Sequence, residues 1–283
     1  MASSSAHRIT GERYASRRSV VSTTNGVVAT SQPLAAMAGL RMLLAGGNAA
    51  DAAVATAAAL NVVEPMSTGI GGDAFALVFN TRSGAVQALN GSGRAPAALS
   101  HTVFAERGMT RIPTNGMLPV TVPGTVDAWA SLLERHGTFS LAQVLQPAIE
   151  YAERGFPVSE IIARGWNTAV ARLQEHPDAA RTYLVGGTRA PRVGEVFKQP
   201  NLARTLRAIA EGGRDVFYRG PIADAIVATS QQGGGFLSHE DFAKHTSTWE
   251  EPIHTNYRGV EVYECPPNGQ GITALLGLNL LAG

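Results

Sequence analysis

The chain has 283 residues, 45% of them hydrophobic and 16% charged, which supports a sizeable core and excludes wholesale disorder. Its 23 basic against 22 acidic residues leave a formal charge of +1, so there is no basic excess to neutralise a phosphate backbone and nucleic acid is not the expected partner. The single cysteine, Cys265, excludes an intramolecular disulfide framework and a multi-thiolate zinc site.

The polar segment 1–25 lacks the apolar stretch of a secretory signal and reads as a flexible leader, ahead of one body spanning 26–283. Its Arg and Ser content partly fits a mitochondrial-type leader, against which Glu12 stands, and the cytoplasm is the expected location. Pro33 opens an amphipathic helix carrying Ala36, Met37, Leu40, Leu43 and Leu44, which Gly46 and Gly47 end. Asn48 is placed to cap a second helix, Ala49 to Val63, which Pro65 stops. Its alanines suit close packing on the first helix, and its polar interruptions leave it short of a membrane span. After the loop Met66 to Asp73, two short apolar runs, Ala74 to Phe79 and Ala85 to Leu89, flank a turn and read as a strand hairpin.

The middle of the chain reads as helical: Thr125 to His136, then a helix opened by the Ser140/Gln143 capping box, ending near Gly155 and bent by Pro147. Further helices are expected around 160–175 and 201–211. Ser238 with Asp241 marks another helix start, and Ile253 to Tyr257 with Val260 to Tyr263 read as a second hairpin. A last apolar helix, Ile272 to Leu281, follows the tight loop Pro266 to Gly271 and presents apolar residues that expect a cover. The pattern gives a mixed α and β fold.

The glycines of Gly69-Ile70-Gly71-Gly72 follow a helix and precede a strand, the reverse of a dinucleotide fingerprint, and Asp73 would repel a pyrophosphate. A tight turn with left-handed backbone is the expectation there. None of the seven histidines forms a helical i, i+4 pair, so no metal site of that kind is expected, and His239 and His245 are expected at the surface. Glu240 and Asp241 read as capping residues, and Cys265 as an inert thiol, having no base or helix start beside it. The loop Asn90 to Pro96, NGSGRAP, combines glycines, the Ser92 hydroxyl and one guanidinium. Arg94 can hold a carboxylate with help from amides near Gly91 and Gly93, or it can sit in an ordinary ion pair. These residues alone do not name a reaction.

The run Gly26 to Phe79, GVVATSQPLAAMAGLRMLLAGGNAADAAVATAAALNVVEPMSTGIGGDAFALVF, resembles the opening of the gamma-glutamyltransferase (gamma-glutamyltranspeptidase, glutathione hydrolase) family. Val122-Pro123-Gly124, Leu141 to Pro157, Gly194 to Gly220, Leu237 to Phe242 and Pro266 to Leu275 resemble further blocks of it in order. The resemblance implies an α+β N-terminal nucleophile hydrolase, an αββα sandwich of which this chain matches the large-subunit part. It also implies a precursor that cuts itself to expose a threonine nucleophile, and a γ-glutamyl amide such as glutathione as acyl donor, with no cofactor. The complementary small subunit would carry the nucleophile and the oxyanion donors, so no catalytic residue is assigned within this chain, Thr23 and Thr24 take no role, and the chain alone is expected to be inactive. Glutamyl-specific members carry an arginine in the donor loop at the position of Ser92, whereas here the guanidinium is Arg94. Ser92 and Arg94 are therefore the substrate-binding residues expected from the loop. That departure is more similar to the cephalosporin or glutaryl acylase branch, which would take a different acyl donor. A third reading is an inactive half that persists as a binding module.

Overall fold

A computed structural model describes residues 19–282. Most of the expected leader, residues 1–18, lies outside the described residues, while 19–25 are exposed and irregular. Helix α1 (Pro33–Leu44) starts with proline at its first position and takes a cap from the Gln32 side chain, which accepts from the Leu34 amide at 3.4 Å. Helix α2 (Ala49–Val63) opens on the expected Asn48 cap, completed as a capping box when Asp51 accepts from the Asn48 amide at 2.7 Å. Asp51 is itself buried. It also accepts from the Thr138 and Phe139 amides, both at 3.0 Å, which fastens the start of α2 to a distant turn. The two helices touch closely enough that a methyl group on Gly39 would lie 2.2 Å from the Thr56 hydroxyl.

Strands β1 (Ala74–Asn80) and β2 (Ala85–Gly91) form the expected antiparallel hairpin, in register from Ala74 opposite Gly91 to Asn80 opposite Ala85. This register has a functional consequence: the residues one step beyond the ladder, Asp73 and Ser92, emerge side by side. Ala74, Ala76 and Val78 of β1 face the core, and Phe75, Leu77 and Phe79 alternate outward and are exposed. Helix α3 (His101–Glu106) is short, and α4 (Thr125–His136) packs on both strands. Helix α5 (Leu141–Arg154) carries the expected Ser140/Gln143 box and continues through Pro147 without interruption.

The segment 160–175 is not one helix. After the two-residue strand β3 (Phe156–Pro157), helix α6 (Glu160–Thr168) and helix α7 (Val170–Gln174) meet at Ala169, and α8 (Pro177–Tyr183) follows. Strand β4 (Val196–Phe197) pairs with β3. Helix α9 (Pro200–Tyr218) consists of two helical pieces joined at a kink: Gly213 is non-helical, with φ of +69°, and ends the first piece close to the expected end near 211. That left-handed residue swings the last turn, and with it Arg214 and Tyr218, toward α4. Helices α10 (Pro221–Gln232) and α11 (His239–Lys244) come next, the latter with the Ser238/Asp241 capping box. Strand β5 (Thr248–Glu250) adds to the other edge of β2, giving the sheet order β1-β2-β5. Strands β6 (Ile253–Tyr257) and β7 (Val260–Glu264) form the second hairpin, and α12 (Gly271–Ala282) lies on it.

The result is α+β. Helices α2, α5 and α9 interlock around Val54, Val62, Leu145, Ile149, Leu206 and Ile209, all nearly inaccessible, and burying such side chains contributes about 1.5–3 kcal/mol each. Helix α12 differs, because it buries only Leu275 while Leu280 remains 83% exposed.

Candidate functional site

Three loops meet where β1 begins and β2 ends. Gly72 presents its carbonyl to the Gly124 and Thr125 amides at 2.9 and 3.0 Å, seating the entry to β1 on the first turn of α4. Asp73 follows, and its carboxylate accepts from the Ser92 hydroxyl at 3.0 Å and from the Gly93 amide at 3.0 Å. The Ser92 amide donates back to Asn90 Oδ1 at 3.0 Å, closing a local turn. Asn90 Nδ2 reaches Asn268 Oδ1 at 2.9 Å and Glu250 Oε1 at 3.3 Å, which draws the Pro266 to Gly271 loop into the same place.

Glycine is required in this loop by contact. A methyl group on Gly93 would lie 1.5 Å from the Val122 carbonyl oxygen, and one on Gly124 would lie 1.9 Å from that of Gly91. The Arg94 carbonyl accepts from the Val122 amide at 3.0 Å, so the backbone of residue 94 is pinned while its side chain is exposed. Among the described residues the Arg94 guanidinium makes no ion pair.

The structure thus brings Ser92 and Arg94 to one rim, and it corrects two expectations about that rim. The Gly93 amide is not available to assist a bound carboxylate at Arg94, because Asp73 already holds it. The glycines at 69, 71 and 72 make a turn, but none has left-handed backbone, and a methyl group on Gly69 or Gly71 would touch nothing within 4 Å.

Beneath the rim lies a buried polar cluster that the sequence did not disclose. Asp127, in the first turn of α4, is 5% exposed and accepts from Arg214 Nε and, at 2.5 Å, from the Ser247 amide. Arg214 also donates to the His245 carbonyl and stands 4.7 Å above the Tyr218 ring. The Tyr218 hydroxyl donates to the Pro123 carbonyl at 2.7 Å and accepts from the Asp127 amide at 3.1 Å. His245 is not a surface residue: its ring is buried, stacked 5.3 Å from Tyr218, with Nε2 4.0 Å from Asp127 Oδ2. It lies just past α11, so the helical spacing from His239 does not govern it, whereas His239 is exposed and meets Asp224 at 2.9 Å.

Burial works against the charge of Asp127, but the hydrogen bonds from Ser247 and Arg214 outweigh it and hold the carboxyl below its ordinary 3.8. Burial lowers His245 below its ordinary 6.5, against the pull of Asp127 and with the fields of Arg214 and Arg94 acting in the same direction as burial. Burial also raises the Tyr218 phenol. Both the histidine and the aspartate have folded pKa values below their unfolded ones, so each contributes stability at higher pH that is lost on acidification. The melting temperature should therefore begin to fall below pH 6.5 and drop more steeply below pH 3.8 as Asp127 takes a proton, measured by circular dichroism from pH 8 to 3. A flat profile would contradict the placement of both groups.

Capping accounts for Asp241, which also accepts from the Ala97 amide at 2.9 Å and so ties the far end of the rim loop to α11. Cys265 is half-buried, and burial raises its thiol, in keeping with an inert side chain. Among the described residues there is no group of three or more His, Cys, Asp or Glu able to hold a metal ion. Nor is any helix among them long and apolar enough to cross a membrane.

Comparison with known proteins places this geometry. The chain is 44% identical over 265 residues to the glutathione hydrolase-like YwrD proenzyme of Bacillus subtilis, covering 93% of this chain and 50% of that protein. Its fold superposes on the cephalosporin acylase of Bacillus halodurans with a TM-score of 0.89 at 49% identity, covering 97% of this chain and 52% of the other. It superposes on the gamma-glutamyltranspeptidase of Helicobacter pylori with a TM-score of 0.87 at 32% identity, covering 93% and 76%. The chain spans about half the length of the curated relatives it matches. The family model for gamma-glutamyltranspeptidase matches residues 35–283, and the chain belongs to the gamma-glutamyltranspeptidase family of N-terminal nucleophile hydrolases.

Proposed function

We propose that this chain forms the donor-binding half of an amide-cleaving acyltransferase or hydrolase, completed by a small subunit from the same precursor. A threonine of that subunit, freed by self-cleavage and using its own amine as base, attacks the donor amide. The acyl-enzyme then passes its acyl group to water or to an amino acid. The observation that carries the reading is the rim loop, where Arg94 stands exposed on a pinned backbone beside Ser92 and next to the Asn268 loop. A guanidinium there suits the carboxylate of a γ-glutamyl or glutaryl-type acyl group. The bond between Ser92 and Asp73 favours a second donor class, the non-glutamyl amides of acylases, because no cation stands at residue 92. The acylase named among the structural relatives supports that class.

The outward residues of β1 and the apolar face of α12 support the need for a second subunit. By itself the chain exposes Phe75, Leu77, Phe79, Leu276 and Leu280. Purified alone it should self-associate in sedimentation velocity and turn over no donor, and a monodisperse monomer with activity would contradict the reading.

The direct test expresses this chain with the rest of its precursor, follows self-cleavage by intact mass, and assays γ-glutamyl-4-nitroanilide and glutaryl-4-nitroanilide. Arg94→Ala should raise KM for the preferred donor about 10- to 100-fold, equivalent to about 1.5–3 kcal/mol for a hydrogen bond to a charged group, with kcat changed less. Wild-type protein that is cleaved yet hydrolyses neither donor would sink the proposal.

A further inference from the structure

We propose that the groove between α6 and the loop leading into β4 is a binding site for a phosphate monoester, held by Arg164 from one wall and Arg192 from the other. The groove shares no residue with the rim, and its role does not depend on the acyl-donor reading.

Helix α6 turns Ile162 and Trp166 into the core, where Trp166 Nε1 donates to the Tyr183 carbonyl at 2.8 Å. That anchoring leaves Glu160, Ala163, Arg164 and Asn167, which recur at helical spacing, along one wall of an open groove of about 650 Å³. The loop 189–193 is the facing wall, and it is built as a rigid strap. Arg189 donates to Glu195 at 2.8 and 3.0 Å and to the Ala190 carbonyl at 3.1 Å. Glu195 also accepts from the Arg192 amide at 2.8 Å, and the Gly194 amide donates to the Val158 carbonyl at 2.8 Å. Glu195 thereby neutralises Arg189 and fixes the backbone of Arg192, while the Arg192 side chain stays exposed. Arg164 is exposed as well, and neither guanidinium makes an ion pair among the described residues.

Two cations without counter-charges, each carried on backbone that is held in place, thus face one groove whose lining contains a single acid, Glu160. A phosphoryl group offers three acceptor oxygens and can be shared by two guanidinium forks, whereas the two oxygens of a carboxylate suit one. Asn167 adds a carboxamide donor from the α6 wall. Val193, 58% exposed, supplies an apolar edge for the organic part of an ester. Glu160 opposes the anion from the start of α6, so removing its charge should tighten the site.

Calorimetric titration of the full precursor-derived protein with phenyl phosphate, at constant ionic strength, should show one saturable site. Inorganic phosphate, which lacks the group that meets Val193, should fill the same site more weakly. Arg164→Gln and Arg192→Gln should each weaken binding of phenyl phosphate about tenfold or more, and Glu160→Gln should strengthen it. Arg181→Gln removes a cation that is paired with Asp178 outside the groove, and it should leave binding unchanged. All four side chains are exposed, so these variants should melt with the wild type and a change in binding is not a loss of fold. Co-sedimentation with vesicles containing phosphatidic acid separates two sources of the same chemistry. Sedimentation that Arg192→Gln abolishes identifies a lipid headgroup, and binding of phenyl phosphate without sedimentation identifies a soluble ester. Absence of a saturable site, or equal weakening by Arg181→Gln and Arg192→Gln, overturns the inference. Failure of the protein to turn over any amide donor would refute the acyl-transfer reading and leave this one standing.

Discussion

Gly93→Ala should cost about 3 kcal/mol or more and displace the rim loop, and Gly124→Ala should do the same. Neither glycine has left-handed backbone, so the cost is one of contact: the added methyl groups would lie 1.5 Å from the Val122 oxygen and 1.9 Å from the Gly91 oxygen. Those atoms belong to backbone, which cannot turn aside as a flexible side chain would. Relief requires separating the loop from the start of α4, at the expense of the 3.0 Å bond from the Val122 amide to the Arg94 carbonyl. Gly71→Ala is the internal control. Its methyl group would meet nothing within 4 Å and its φ is ordinary, so it should be neutral or stabilise by a few tenths of a kcal/mol through the unfolded state. Urea denaturation of the three variants separates these outcomes, and a Gly93→Ala protein as stable as wild type would show that the two segments do not approach as described.

Asp127→Ala should be the other severe change, lowering stability by about 3 kcal/mol. Removing one partner of a buried pair costs about 3–5 kcal/mol, and the lower end applies because the Arg214 side chain retains 26% exposure. The loss leaves the Ser247 amide without its acceptor and the guanidinium without its counter-charge, against the Tyr218 ring. Asp127→Asn should fall between, since it keeps an acceptor for Ser247. Adding Arg214→Leu to Asp127→Ala should recover part of the loss, because the stranded charge is then gone. A double variant losing the sum of the two single effects would show that the residues act independently.

Much of the fold was legible because local chemistry and tertiary packing agree. Asn48, Ser140 and Ser238 cap the helices that their side chains announce, and the turn after Asn80 sets the register of β1 against β2. The misses are physical in origin. Strands β3 and β4 have two residues each, too few for any alternation to show, and α6 and α7 share one helical pattern that is interrupted at Ala169. The first piece of α9 ends near 211 as expected, and what went unread is the second piece beyond the Gly213 kink, which carries Arg214 and Tyr218. At the site, Arg94 stood out as the one guanidinium of a glycine loop, and Ser92 through the family resemblance, which puts it where glutamyl-specific members carry an arginine. Asp127, Arg214 and His245 did not, since each has an ordinary local reading as a first-turn acid, a helix cation and a residue beyond a cap. Their meaning comes from three segments more than 80 residues apart in part, brought together only by the folded chain. Asp73 was visible, but its value emerged only when the hairpin register set it beside Ser92.

The close backbone contacts at Gly93 and Gly124 have a consequence for how such proteins diversify. Along this loop Gly91 and Gly93 admit no side chain where they bear on the scaffold, while Arg94 projects outward and Ser92 is half-buried with its hydroxyl on Asp73. On the donor-binding reading proposed above, substitutions at residue 94 are decoupled from those that alter the loop's course. If residues 92 and 94 contact the acyl group as proposed, exchanges at these two side chains alter its recognition while the glycine track stays unchanged.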